Sequence, residues 1–187
     1  MTRKKYPREW TKETILEIFR DLDRHFKEKN RPVEILTIGG VPIVLQGFQN
    51  RSTNDIDLAP VRDSELFLKA CHEAGIPGQI VTLCSTVDFN DVDAMLIFRG
   101  SFLKVFSVSP GDLIKLKLER FRKQDPEDIY SIMQKTGVTF EQFFQWVKEG
   151  RSYYIGRESE YLLSARIVVE RMFPERLSDF KVVFPPP

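Results

Sequence analysis

The chain has 187 residues, 42% of them hydrophobic, which is enough for one packed core with room for a small helical annex. Lysine plus arginine, 28, nearly cancel aspartate plus glutamate, 27, so no global basic field marks a nucleic-acid binder, and any such contact must come from a local patch. No apolar run approaches the ~20 residues that span a bilayer, the basic N-terminus leads into a polar helix and not a secretory signal, and Cys71 and Cys84 lack the spacing of a disulfide frame or zinc site, so a reduced, cytoplasmic protein is expected.

Residues 11–29 read as a helix, with Thr11 as N-cap and Ile15, Phe19, Leu22 and Phe26 on one apolar face. Arg31-Pro32 stops it, because the residue before proline avoids the helical region. Val33–Ile38 is the first strand. Val41–Phe48 is a short helix with Pro42 in its first turn, where no donor is lost. Asp55–Ala59 is the second strand, and 63–74 a helix turning Leu66, Phe67 and Ala70 inward before Gly75. Gln79–Leu83, Asp93–Phe98 and Leu103–Ser107 follow as strands, the last two joined by Arg99-Gly100-Ser101.

After Ser109-Pro110 the pattern turns helical. Leu113, Leu116 and Phe121 form one buried stripe, and Phe140, Phe143, Phe144 and Val147 another, on a helix that Gly150 ends. Arg151–Arg157 mixes tyrosines with arginines, as packing and capping residues or as a stacking surface for bases. Glu158–Phe173 is a last helix burying Leu162, Leu163, Ile167 and Val168, and 174–187 a loosely held tail. The order predicts an α/β (α+β) fold: a small mixed, twisted sheet flanked by helices over 1–109, then a helical C-terminal part, 110–187, packed on that core.

The chemistry concentrates in I-G-G-V-P-I-V-L-Q-G-F-Q-N-R-S-T-N-D-I-D-L, residues 38–58. D-I-D-L alternates as a half-buried strand does, which projects Asp55 and Asp57 from one face. Carboxylates that close repel each other unless a cation sits between them. Mg²⁺, which binds one or two carboxylates plus substrate phosphates, suits the pair. Gly39 and Gly40, with no Cβ, let backbone N–H groups approach a phosphate.

A strand, Gly-Gly, a short helix and Arg51-x-Thr53-x-Asp55-Ile56-Asp57 together resemble the signature of the polymerase β-type nucleotidyltransferases. The likeness is greatest to the AbiEii-like enzymes of toxin–antitoxin systems and their minimal relatives. It implies a nucleotidyltransferase fold and two Mg²⁺ ions on Asp55 and Asp57. It also implies a third carboxylate on a neighbouring strand: Asp93 first, with Asp88 and Asp91 close by. Gly39, Gly40, Arg51 and Thr53 would meet the nucleotide. A second block, residues 112–129, resembles the family's lysine helix and maps Lys117, Arg120, Arg122, Asp125 and Asp128 onto it, with Lys115 competing with Lys117. The expected reaction moves an NMP from an NTP to an RNA, such as a tRNA end, or to a protein, beside a cognate toxin or antitoxin. Val41-Pro42 after the glycines and the polar stretch before Asp55 depart from the family pattern. A catalytically degenerate interaction module is therefore the second expectation. His25 and His72 fall on helices away from this stretch, and neither cysteine has a base partner, which argues against His-based hydrolysis and thiol chemistry.

Overall fold

Thr11 caps the first helix through its Oγ1, which accepts the Thr14 N–H, and α1 then runs Lys12–Glu28. The computed structural model describes residues 6–185, so the first five residues of the basic N-terminus and the last two prolines lie outside it. Two units divide the chain: residues up to Thr82 with Phe89–Ser109, and Leu83–Asp88 with the residues from Pro110 on.

The first unit is an α/β layer. Its strands are β1 (Val33–Ile38), β2 (Ile56–Leu58), β3 (Gly78–Ile80), β4 (Met95–Arg99) and β5 (Leu103–Ser107). They form one mixed sheet in the order β3-β2-β1-β5-β4. β1 runs parallel to β5 and antiparallel to β2, β2 is parallel to β3, and β4 closes the far edge antiparallel to β5. Because side chains alternate across a pleated strand, Val33 and Ile35, Ile56 and Leu58, and Leu103 and Val105 share one face. That face packs on Ile15, Phe19, Leu22 and Phe26 of α1, on Val41 and Val44 of α2 (Gly40–Leu45) and on Phe67 of α3 (Ser64–Glu73). Phe67 meets Phe19 and Phe26 at ring-centroid distances of 6.5 and 6.2 Å. Burying each such ring contributes roughly 1.5–3 kcal/mol, so this layer fixes the sheet. The opposite face carries Glu34, Leu36 and Ile38 of β1, Asp57 of β2, Gln79 of β3, and Lys104 and Phe106 of β5.

One carboxylate ties α1 to the β4–β5 turn. Asp23 Oδ1 accepts the N–H groups of Phe102 (2.7 Å) and Leu103 (2.8 Å), and Oδ2 accepts that of Ser101 (3.1 Å). A Cβ on Gly100 would lie within 3.0 Å of the same carboxylate, which is why glycine stands there. Burial alone pushes the Asp23 carboxyl up, but the three backbone donors and Lys27 outweigh it and hold it below the ordinary range. Its contribution is therefore present above the unfolded pKa and is lost as pH falls through the depressed folded value. Asp23→Ala is expected to cost about 2 kcal/mol at neutral pH, the half-exposed site discounting the full worth of three charge-assisted bonds. Urea midpoints check this, and the gap between wild type and variant should shrink at about pH 3.

The second unit is helical: α4 (Pro110–Arg120), α5 (Asp125–Thr136), α6 (Phe140–Tyr153), α7 (Glu158–Met172), a 3-10 turn (Pro174–Arg176) and α8 (Leu177–Val183). Thr139 and Gln142 form a capping box that starts α6. The Glu119 carboxylate holds the 83–88 segment on α4, accepting the backbone N–H and hydroxyl groups of Ser85 and Thr86.

Four expectations need correction here. α4 buries Leu113, Ile114, Lys117 and Leu118, while Leu116 and Phe121 are only half-buried. α6 passes through Gly150, whose missing Cβ leaves room for the Tyr161 hydroxyl, so this glycine serves packing and not termination. α7 buries Tyr161, Ser164, Ala165, Val168 and Val169, and leaves Leu163 (53% exposed) and Ile167 (37%) outside. The buried stripe thus runs through the small Ser164 and Ala165, on a helix that meets α4, α5 and α6. Residues 174–185 are not a loose tail: Phe180 and Phe184 are buried and pack on Phe144 at 6.1 and 5.3 Å.

Candidate active site

β1 ends at Ile38, directly opposite Asp57 in β2. Gly39 then turns the chain with φ 72° and ψ −130°, a backbone region that side chains avoid, and α2 begins at Gly40. A Cβ on Gly39 would lie within 3.0 Å of Asp57 Oδ2, and one on Gly40 would lie 2.9 Å from the Thr53 Cβ. Each glycine of the pair thus makes room for one side chain of the acidic segment: Gly39 for Asp57, Gly40 for Thr53. The helix that follows has six residues, so its dipole adds little, and the turn itself is the feature that matters.

Asp57 is 8% exposed. Its Oδ1 accepts the Gln79 Nε2–H at 2.8 Å, and Gln79 lies opposite it in the parallel β2–β3 ladder. One carboxylate oxygen is thereby oriented by an amide while the other faces the Gly39 turn. Asp55 stands in the bend entering β2, half-buried. Thr53 Oγ1 donates to its Oδ1 at 3.4 Å. Thr53 is itself fixed by a two-way backbone bridge with Trp10, Trp10 N–H to Thr53 O at 2.6 Å and Thr53 N–H to Trp10 O at 3.1 Å. Trp10 is 2% exposed and donates its ring N–H to Pro7 O at 2.9 Å. The polar stretch before Asp55 is thus anchored at its end. Arg51 is half-buried, donates from Nη1 to Ser52 O at 3.0 Å, and reaches within 3.7 Å of where a Gly40 Cβ would stand.

Asp55, Asp57, Gly39, Gly40, Thr53 and Arg51 therefore come together within the first unit. Asp93 does not join them through the sheet: it is exposed and precedes β4, which β1 and β5 separate from β2. Asp88 and Asp91 are exposed as well. No group of three His, Cys, Asp or Glu residues able to hold a metal occurs among the described residues. The donor set still fits Mg²⁺, which needs one or two carboxylates and takes its remaining ligands from water and phosphate. Asp57 Oδ2, held against a turn that a Cβ would fill, is the oxygen best preset for it.

Lys117 belongs to the helical unit and is 3% exposed. Its Nζ donates to Asp125 Oδ1 at 3.1 Å and Asp128 Oδ2 at 2.5 Å, and Asp125 also takes the Arg120 guanidinium and the Arg122 N–H. Lys115 pairs with Asp112 and Glu149. Gln79 and Trp10 were not legible as site residues. The only trace of Gln79 is one polar residue in a short apolar strand, and its position facing Asp57 depends on a strand order that spacing does not reveal.

No helix among the described residues is long and apolar enough to cross a membrane. Comparison with curated proteins and with solved structures returned no match. Residues 13–163 match the family described as nucleotidyltransferase of unknown function (DUF6036), a span that includes the Gly-Gly turn, the D-I-D strand, Gln79 and the Lys117 helix, and the chain belongs to that family.

Proposed function

We propose that this protein transfers a nucleoside monophosphate from an NTP to an acceptor hydroxyl, with Mg²⁺ held by Asp55 and Asp57. The observation that carries the reading is the meshing of the glycine pair with the acidic segment, Gly39 against Asp57 and Gly40 against Thr53. That arrangement sets the Asp57 carboxylate against the Gly39 turn, and against Gly40 it sets Thr53, whose hydroxyl donates to Asp55. Bound Mg²⁺ supplies neutralisation of phosphate charge and a more acidic attacking hydroxyl. The chain supplies the rest by positioning. Gln79 fixes the Asp57 carboxylate. Thr53 holds Asp55 from a position locked by Trp10. Arg51 stands beside the turn to meet the charge that builds on the leaving pyrophosphate. RNA or protein as the acceptor, and a place within a toxin–antitoxin pair, follow from the AbiEii-like resemblance of the same motif and belong to this proposal.

A second reading, a nucleotidyltransferase fold kept as an interaction module, is favoured by one observation: the residue facing Asp57 on the neighbouring strand is an amide, Gln79, and not a carboxylate. Calorimetric titration of ATP, CTP, GTP and UTP with Mg²⁺ separates the two. The enzyme reading expects metal-dependent binding of at least one nucleotide by wild type and its loss in Asp55→Ala/Asp57→Ala, followed by label transfer from that NTP to RNA or protein. Wild type that binds no nucleotide would overturn it in favour of the interaction module.

A further inference from the structure

The sheet face that carries Asp57 also carries a large cavity no part of the mechanism uses. It measures about 830 Å³, within the roughly 300–1,000 Å³ of sites that take small organic ligands. Leu36 of β1 and Phe106 of β5 form its floor, Phe89 stands on the segment above, and Arg31 and Arg62 stand at its rim. Leu36 lies two residues before Ile38, the partner of Asp57 in the ladder, so the floor begins about 7 Å along the strand from the carboxylate row.

Its lining sets Arg31 and Arg62 against Glu34 and Asp63, and with Lys104 standing on Glu34 one positive charge is left in excess. The Glu34 carboxylate in the lining is taken by Lys104 Nζ at 2.5 Å, and Asp63 Oδ2 accepts the Glu34 N–H at 3.0 Å. Arg31 and Arg62 are exposed, and neither guanidinium has an ion pair or side-chain hydrogen bond among the described residues. Two unengaged guanidiniums beside two phenyl rings match a flat ring joined to an anion: arginine forks fit phosphate oxygens, and phenyl faces stack on bases without regard to sequence.

We propose that this cavity binds a nucleotide unit, base against Phe89 and Phe106 and phosphate on Arg31 and Arg62, as a second site beside the Asp55–Asp57 centre. The unit comes either from a free nucleotide or from the end of a single strand. Its position on the carboxylate face favours the strand end, whose terminal hydroxyl would then be directed at the acidic pair. That use as an acceptor site rests on the transfer reading above; binding at the cavity does not.

Binding of AMP, UMP and a labelled single-stranded RNA octamer, each without metal, tests the site by calorimetry and fluorescence anisotropy on the full chain. Wild type is expected to bind, and Arg31→Ala/Arg62→Ala to bind at least ~10-fold more weakly, with the salt slope for the octamer reduced by about 1 or more. Both arginines are surface residues, so circular dichroism should report an unchanged fold. Asp55→Ala/Asp57→Ala is expected to bind as wild type does, which keeps this result separate from the fate of the transfer reading. Tighter binding of the octamer than of the mononucleotides identifies the strand end as the source, and equal binding identifies the free nucleotide. Absence of binding by wild type, binding indifferent to the two arginines, or preference for a phosphotyrosyl peptide over every nucleotide would overturn the proposal.

Discussion

Gly39→Ala is expected to cost about 2–4 kcal/mol of stability and, under the proposed transfer activity, to lower nucleotide transfer on the order of 100-fold. Two separate effects add at this position. The backbone there has φ 72° and ψ −130°, so any Cβ strains it. That Cβ would also arrive within 3.0 Å of Asp57 Oδ2, and the carboxylate has little freedom to yield, because its strand is paired on both sides and Gln79 holds its other oxygen. Either the turn opens or Asp57 swings out, and in both cases the acid loses the geometry the transfer reading requires. Gly47→Ala is the matched control: Gly47 also has a positive φ, 68°, but nothing lies within 4 Å of where its Cβ would stand. It should cost about 1–2 kcal/mol from strain and leave NTP binding intact. Thermal unfolding and nucleotide titration on the pair check this. Gly39→Ala behaving no worse than Gly47→Ala would mean that contact with Asp57 is not what the glycine protects.

The features legible in the sequence were those written locally. Val33–Ile38 and Leu103–Ser107 read as strands because they are compact β-rich segments between strong breakers, and both bounds hold. The face of α1 follows from four apolar residues at helical spacing, all of them buried. Gly39, Gly40, Thr53, Asp55 and Asp57 lie within twenty residues of one another, so a single motif gathers them. What long-range order decides stayed hidden. Asp93 opens an apolar run that suggests a strand beside the acids, yet β4 pairs only with β5 at the far edge. β3, a strand of three residues, takes the place next to β2 and brings Gln79 there instead. On α7 the buried stripe runs through Ser164 and Ala165 while Leu163 and Ile167 stay outside. α8 has only seven residues and no side-chain cap, and its order comes from Phe180 and Phe184 finding Phe144.

Lys117→Met should be among the most destabilising single changes in the helical unit, costing about 3–5 kcal/mol. The ammonium is 3% exposed and touches two carboxylates that are each 1% exposed. Removing it takes from Asp128 its 2.5 Å cationic partner in the interior, and breaking a buried ion pair from one side costs more than the lost attraction. Asp125 keeps the Arg120 guanidinium and the Arg122 N–H, and Asp128 loses the shorter of the two lysine contacts. Lys117→Met/Asp128→Leu, which removes both charges together, is therefore expected to recover most of the loss, since an apolar pair of similar volume often replaces a buried ion pair at little cost. The network also sets a pH response. Burial pushes the Asp125 carboxyl up, but the Arg120 hydrogen bonds, the Lys117 charge and the Arg122 N–H together hold it below the ordinary aspartate range. A depressed folded pKa means stability present above about pH 4 and lost as pH falls through the folded value. Unfolding midpoints of the wild type, the single and the double variant, read at neutral pH and again in acid, test the whole argument. A role for Lys117 in chemistry alone predicts a different pattern: an unchanged midpoint in Lys117→Met, lost turnover, and no rescue by Asp128→Leu. The lysine's depth and its two carboxylate partners argue for the structural outcome, in which the midpoint falls in the single variant and returns in the double.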